Sequence, residues 1–341
     1  MATTKRGGIA SPVRRRLALM LCLSCLAAAS AARAGTGFSE LSVLDPVSST
    51  DVPVAIWYPS AAAEAIVERG PFRFPAALNG KALTGGHPLI VLSHGSGSGQ
   101  FTHFHTAIAL VEAGYVVAAP MHARDNFLDA SGAGSGEVLS GRARTVSAVI
   151  DRVGRANPLS LTIDPARIAV IGFSAGGATA LALLGAEPSI GAARVHCERH
   201  PGDPFCRHVA VVSRGEAADL PLRGLGDRRV KAIVAMAPVT AWFTDEQLRV
   251  LPDAVLIVAG GQDKELATDA NAERLARLLG PASRLEVDER AGHYSFLPVF
   301  PDGVRESLPP ALVADAPGFD RGAFHDRVHA SIVRFLAERL R

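Results

Sequence analysis

The chain has no strong excess of either charge. Its 341 residues hold 35 Lys and Arg against 33 Asp and Glu, a formal net charge of +2. Six of the basic residues fall within 1–34, a stretch without acids, so the rest of the chain carries −4. No basic patch therefore speaks for nucleic acid. Cysteine is scarce, with only Cys22, Cys25, Cys197 and Cys206. No His-Glu-x-x-His run is present, as a zinc hydrolase would need; between His196 and His200 the glutamate, Glu198, stands one place too late. No Gly-Lys-Ser/Thr closes a phosphate loop, and neither an internal repeat nor a second core is visible. The sequence implies neither metal nor cofactor.

What is present begins with a targeting pattern. Lys5, Arg6 and Arg14-Arg15-Arg16 form a basic region, 17–29 is an apolar run too short to span a bilayer, and Ala32-Arg33-Ala34 reads as a cleavage site. The expectation is an exported protein, periplasmic or secreted, with a signal peptide over 1–34 and no membrane span after its removal. An uncleaved anchor and a lipoprotein at Cys25 are the alternatives, and Cys22-Leu23-Ser24 makes a poor lipobox. The export route and the oligomeric state are left open. Residues 35–341 suffice for one domain, and 48% apolar residues fit a globular core. In an exported chain, Cys197 and Cys206 read as a disulfide, worth about 2–3 kcal/mol by loop entropy. His196, His200 and His208 make a metal site the alternative, but the segment looks more like a stapled loop.

Apolar runs alternate with helical patterns, which predicts an α/β fold with a mainly parallel sheet. Strands are expected over 52–58 (an antiparallel start), 87–93, 115–119, 167–173, 230–237, 254–259 and 284–287. Helices are expected over 101–113, 138–155, 178–184, 267–279 and 322–340, the last with Phe324, Val328, Ile332, Phe335 and Leu336 on one face. Residues 61–86, rich in Ala, Gly and Pro, read as a surface connection. Residues 186–228 break the alternation and read as an insertion, a candidate cap.

Gly172-Phe173-Ser174-Ala175-Gly176-Gly177 joins an apolar strand to an Ala/Leu-rich helix. A serine thrust from such a turn takes a strained backbone, and only tiny neighbours let strand and helix close around it. Its hydroxyl needs a base held by a third group. Asp263 follows the strand 254–259 and His293 follows 284–287, so all three are expected on the carboxyl rim of the sheet. Glu265, Asp269 and Asp288 are the rival acids. His103, His105, His325 and His329 read as structural or solvated. The glycine-rich run Ser93-His94-Gly95-Ser96-Gly97-Ser98-Gly99 follows another strand, so amides of Ser96 and Ala175 are expected to hold an oxyanion. His94 reads as a structural hydrogen bonder.

With these residues the chain resembles the α/β-hydrolase superfamily from about residue 40 onward. More narrowly it resembles a dienelactone-hydrolase-related branch similar to platelet-activating-factor acetylhydrolases. Val54-Ala55-Ile56-Trp57-Tyr58-Pro59, Leu92-Ser93-His94-Gly95, Gly114-Tyr115-Val116-Val117-Ala118-Ala119-Pro120 and the 172–177 turn carry the likeness. Two departures matter. Dienelactone hydrolases use cysteine where this chain has Ser174. The acetylhydrolase acid position falls at Met236-Ala237-Pro238-Val239-Thr240, which has no carboxylate and so favours Asp263. The resemblance implies hydrolysis of a small-molecule ester with a short or modest acyl group.

The expectation is an exported serine esterase acting through an acyl-enzyme on Ser174, with His293 and Asp263. The cap, His122, Arg124 and the apolar loop from Phe296 to Phe300 are expected to shape substrate access. A phospholipid-type acetylhydrolase, a polyester or aromatic-ester hydrolase, a peptidase and a non-catalytic binding module are the alternatives.

Overall fold

The computed structural model describes residues 35–341 apart from 156, 208–220 and 253. The expected signal segment, His208 and the middle of the expected cap lie outside the described residues. The apolar runs become the centre of one ten-stranded sheet. Its strands are β1 (Gly35–Leu44), β2 (Asp51–Ser60), β3 (Ala65–Arg69), β4 (Phe72–Leu78), β5 (Gly86–Ser93), β6 (Val116–Pro120), β7 (Thr162–Phe173), β8 (Val230–Met236), β9 (Val255–Gly260) and β10 (Arg284–Asp288). The order is β10-β9-β8-β7-β5-β6-β2-β1-β4-β3. From β10 to β6 every pairing is parallel, and β2 runs antiparallel to both β6 and β1.

Parallel strands need cover on both faces, which is why the central runs are apolar at every position. Along β5, Leu89 and Val91 join one core, and Ile90 and Leu92 the other. In β7, Ile168 and Val170 alternate with Ala169 and Ile171 in the same way. The longer helices are α1 (Phe104–Glu112), α2 (Gly136–Gly154), α3 (Ala175–Leu183), α4 (Ile190–Arg199), α5 (Ala272–Leu279) and α6 (Arg321–Arg339). Those numbered α2, α3 and α5 cover the first face; α1 and α6 cover the second. The expected stripe of Phe324, Val328, Ile332, Phe335 and Leu336 is buried there. Three of these helices, α2, α4 and α6, start at side-chain caps. Ser135 accepts from the Val138 amide, Ser189 from Ala192 and Asp320 from Ala323.

One stretch departs from the sequence reading. Residues 61–86 contain the β3–β4 hairpin, in which Val67 and Phe74 are buried across from one another. Gly70, at φ 57°, makes its turn. The two strands are short, and Pro71 and Pro75 mask their alternation. Helices also start later than expected: α1 at Phe104 and α5 at Ala272.

Cys197 at the end of α4 is bonded to Cys206. Within the bridged loop, the buried Asp203 accepts from the Phe205 and Ala267 amides and from the Asn271 side chain, and bonds His196. The insertion is thereby tied to residues 267–271, the stretch that was expected to be helical.

His103, just before α1, packs with His105 of α1 and His325 and His329 of α6. His105 stacks on His325 with ring centroids 4.2 Å apart, and His329 lies 5.2 Å from His105. Burial, and then repulsion from its neighbours, lowers His103 to about 3 and His329 to about 4. His105 and His325 are lowered too, by burial first. Facing His325, Arg321 adds to the lowering while Asp315 and Asp326 oppose it. A histidine of lowered pKa contributes full stability above the unfolded value near 6.5. That stability is lost as pH falls towards the folded value, because the unfolded chain takes protons that the fold refuses. Between the unfolded and folded values the expected slope approaches about 1.4 kcal/mol per pH unit for each of His103 and His329. Urea midpoints should therefore fall steadily from pH 7 to 4.5, and a flat profile would contradict this account.

Candidate active site

The chain leaves β7 at Phe173, turns at Ser174 and enters α3 at Ala175. Ser174 sits at φ 55° and ψ −115°, a conformation that costs an L-residue strain and must be held from outside. Its amide donates to the Met236 carbonyl at 2.9 Å, and its carbonyl accepts from Gly177 and Val239. A Cβ on Gly172 would collide with the Gly176 carbonyl, and one on Gly176 with the Ser93 carbonyl. Gly177 faces Pro238.

Asp263, after β9, and His293, after β10, meet two and three strands further along the sheet. The Nδ1–H of His293 donates to Asp263 Oδ2 at 2.7 Å, and both side chains are buried. The other oxygen of Asp263 accepts from the Glu265 and Leu266 amides, each at 2.8 Å. The rival Asp288 instead pairs with Arg327, and Asp269 bonds the Ala270 amide. His293 opens a short turn whose amide at Gly292 donates to Ser295 Oγ. Ser295 in turn donates to Asp315, which Arg321 grips with two nitrogens, and His325 donates to the Ser295 carbonyl. The Phe173 ring lies 4.9 Å from that of His293.

Beyond β5, His94 donates through Nδ1 to the Gly95 carbonyl and accepts the His122 amide at Nε2. Burial, then the nearby Arg142, lowers its pKa to about 3, so it is a neutral hydrogen bonder. Ser96 Oγ and the Gly97 amide both donate to Asp125 Oδ1, at 2.6 and 3.1 Å. Asp125 is paired with Arg142 at 2.9 Å, and Arg142 also donates to the His94 carbonyl at 2.8 Å. Burial alone would raise the Asp125 pKa; Arg142 and the two hydrogen bonds hold it below the ordinary value. Ala175, first in α3, has an amide with no acceptor inside its own helix.

A cavity of about 930 Å³ opens over these residues. Ser96, Ser174, Ala175 and His293 all line it. The other three expected substrate residues do not. His122 is buried, its ring bonded to Ser93 Oγ at 2.8 Å and its amide to His94 Nε2 at 3.0 Å. Arg124 points to the surface, paired with Glu137. Phe296 is core, packed on Phe173 and Phe324. Of the described part of the expected cap, Phe205 reaches the cavity wall. His196 is committed to Asp203, and among the described residues no group of three or more His, Cys, Asp or Glu is placed to hold a metal ion.

Asp125 and Arg142 are the residues that sequence reasoning missed. A signal existed: Arg142 stands in the buried stripe of α2 between Val138 and Val146, where a charge demands a partner.

No family model and no curated protein sequence matches the chain. Solved structures do. A ferulic acid esterase from Streptomyces cinnamoneus is similar over 92% of each chain, with a TM-score of 0.64 and 21% identity. A dipeptidyl peptidase 4 from Porphyromonas gingivalis covers 90% of this chain and 36% of its own, at TM-score 0.48 and 14% identity. A predicted CIB-like hydrolase from Thermoplasma acidophilum covers 88% and 100%, at 0.47 and 16%. With the sheet order above, the first of these likenesses shows the α/β-hydrolase fold.

A buried ion pair gives a sharp contrast in stability. Arg142→Met alone strands the Asp125 carboxylate and should cost about 3–5 kcal/mol, whereas Asp125→Leu with Arg142→Met should recover most of that loss. Equal urea midpoints for the single and double variants would contradict the pairing.

Proposed function

We propose that the chain is a serine hydrolase of carboxylic esters. The observation that carries this reading is the 2.7 Å bond from His293 to Asp263, facing the same cavity as the strained Ser174 turn. Ser174 Oγ attacks the acyl carbon while Nε2 of His293 takes its proton. Asp263 keeps the imidazole in the tautomer with hydrogen on Nδ1 and balances the imidazolium as it forms. The amides of Ser96 and Ala175 receive the oxyanion, each such donor being worth about 3–4 kcal/mol in the transition state. His293 returns the proton to the leaving alcohol. Water then enters and attacks the acyl carbon as His293 takes its proton; the acid leaves, and His293 returns the proton to Ser174 Oγ.

One further feature supports an exported setting. The Cys197–Cys206 disulfide belongs to oxidising compartments. Among the described residues no helix is long and apolar enough to cross a membrane. The esterase from Streptomyces cinnamoneus supports the reading through its fold.

Ser174→Ala should lower kcat for p-nitrophenyl acetate about a millionfold with an unchanged circular dichroism spectrum. Turnover at the wild-type rate by the folded variant would sink the assignment.

A further inference from the structure

The chain is poor in aromatic residues, with 14 Phe, 3 Tyr and 2 Trp, yet eight of them line the one cavity over Ser174. Two, Phe173 and Tyr294, adjoin the expected nucleophile and base. Of the other six, five form two groups. Phe205, from the disulfide-bridged loop, meets Trp242 edge to face at 5.2 Å. Phe72, at the start of β4, lies 6.2 Å from Phe101 and 6.0 Å from Phe300. Phe127 lies on the loop that also carries Asp125 and is 64% exposed, standing at the cavity mouth.

Sheet order places these groups. Trp242 follows β8, on one side of β7, while Phe72 belongs to β4, beyond β5 and β6 on the other side. Ser174, at the end of β7, therefore stands between them. Charge in the walls is largely cancelled: Arg69 pairs with Glu40, and Asp125 with Arg142. Glu265 remains in the wall and disfavours an anionic guest.

We propose that the site takes uncharged esters with a bulky apolar group on each side of the scissile carbonyl, at least one of them a planar aromatic ring. The inference rests on the ester-hydrolase reading for turnover, but not for binding. Aromatic walls recognise a ring by edge-to-face and offset stacking, beyond the area it buries. An aliphatic ester of the same size gains only the area. A cavity of about 930 Å³ is large enough for both halves of such a molecule to lie inside it.

The test compares benzyl benzoate with heptyl heptanoate, which have equal numbers of carbon and oxygen atoms. Ser174→Ala binds without turning over. Of its two tryptophans, Trp57 is sealed in the core and Trp242 lines the cavity, so occupancy is read from Trp242 fluorescence. The expected result is at least tenfold tighter binding of benzyl benzoate, with the fluorescence change lost in Ser174→Ala, Trp242→Phe. The wild-type protein should then show at least a tenfold higher kcat/KM for benzyl benzoate, and Phe205→Leu should narrow that ratio. Equal or tighter binding of heptyl heptanoate, or a change that survives Trp242→Phe, would overturn the proposal. Selective binding without hydrolysis by the wild type would uphold this inference while removing the hydrolase reading.

Discussion

The site depends on a backbone packed closer than side chains permit. At the end of β7, the peptide groups of Gly172, Gly176 and Ser93 approach so nearly that a Cβ on either glycine would strike a carbonyl. That contact lets α3 start directly at the strand end and leaves Ser174 at φ 55°. The strain is balanced by neighbours: Met236 fixes the Ser174 amide and Val239 its carbonyl. Both belong to β8 or to the chain just beyond it, so the turn is set by two strands and a helix together. Its hydroxyl is presented by the sheet's geometry, with no flexible loop involved.

Around that fixed point, each loop of the candidate site is tethered by a carboxylate, buried at Asp125 and Asp203 and partly buried at Asp315. Asp125 holds Ser96 and Gly97, Asp315 holds Ser295 beside His293, and Asp203 holds the stretch after Asp263. In each case the carboxylate accepts from groups on a loop and pairs with a cation or histidine behind it, Arg142, Arg321 or His196. Such pairs add little net stability, since desolvation consumes much of their attraction. What they supply is position. An oxyanion donor displaced by an ångström loses most of its effect, so geometry is the property worth fixing.

The sequence was informative where local pattern determines structure. Apolar runs covered on both faces announced β5 to β9, and the small residues around Ser174 announced the sharp turn. Asp263 and His293 were legible as candidates because each directly follows a strand, and the structure brings them into hydrogen-bond contact. Non-local facts were hidden. The β3–β4 hairpin is too short and too rich in proline to show its alternation. Arg142 was visible as a charge in a buried stripe, but its partner lies 17 residues earlier on a loop whose path no local rule gives. His122 and Arg124 were misjudged for the same reason: the loop after β6 buries one and exposes the other.

The central claim is that ester hydrolysis passes through an acyl group on Ser174. It is tested most directly by acid-quenching the wild-type protein during turnover of p-nitrophenyl acetate and mapping the modified peptide by mass spectrometry. The account predicts a burst of p-nitrophenol of one equivalent per chain, with the acetyl group on Ser174. Hydrolysis with the acetyl group carried by another side chain would contradict it.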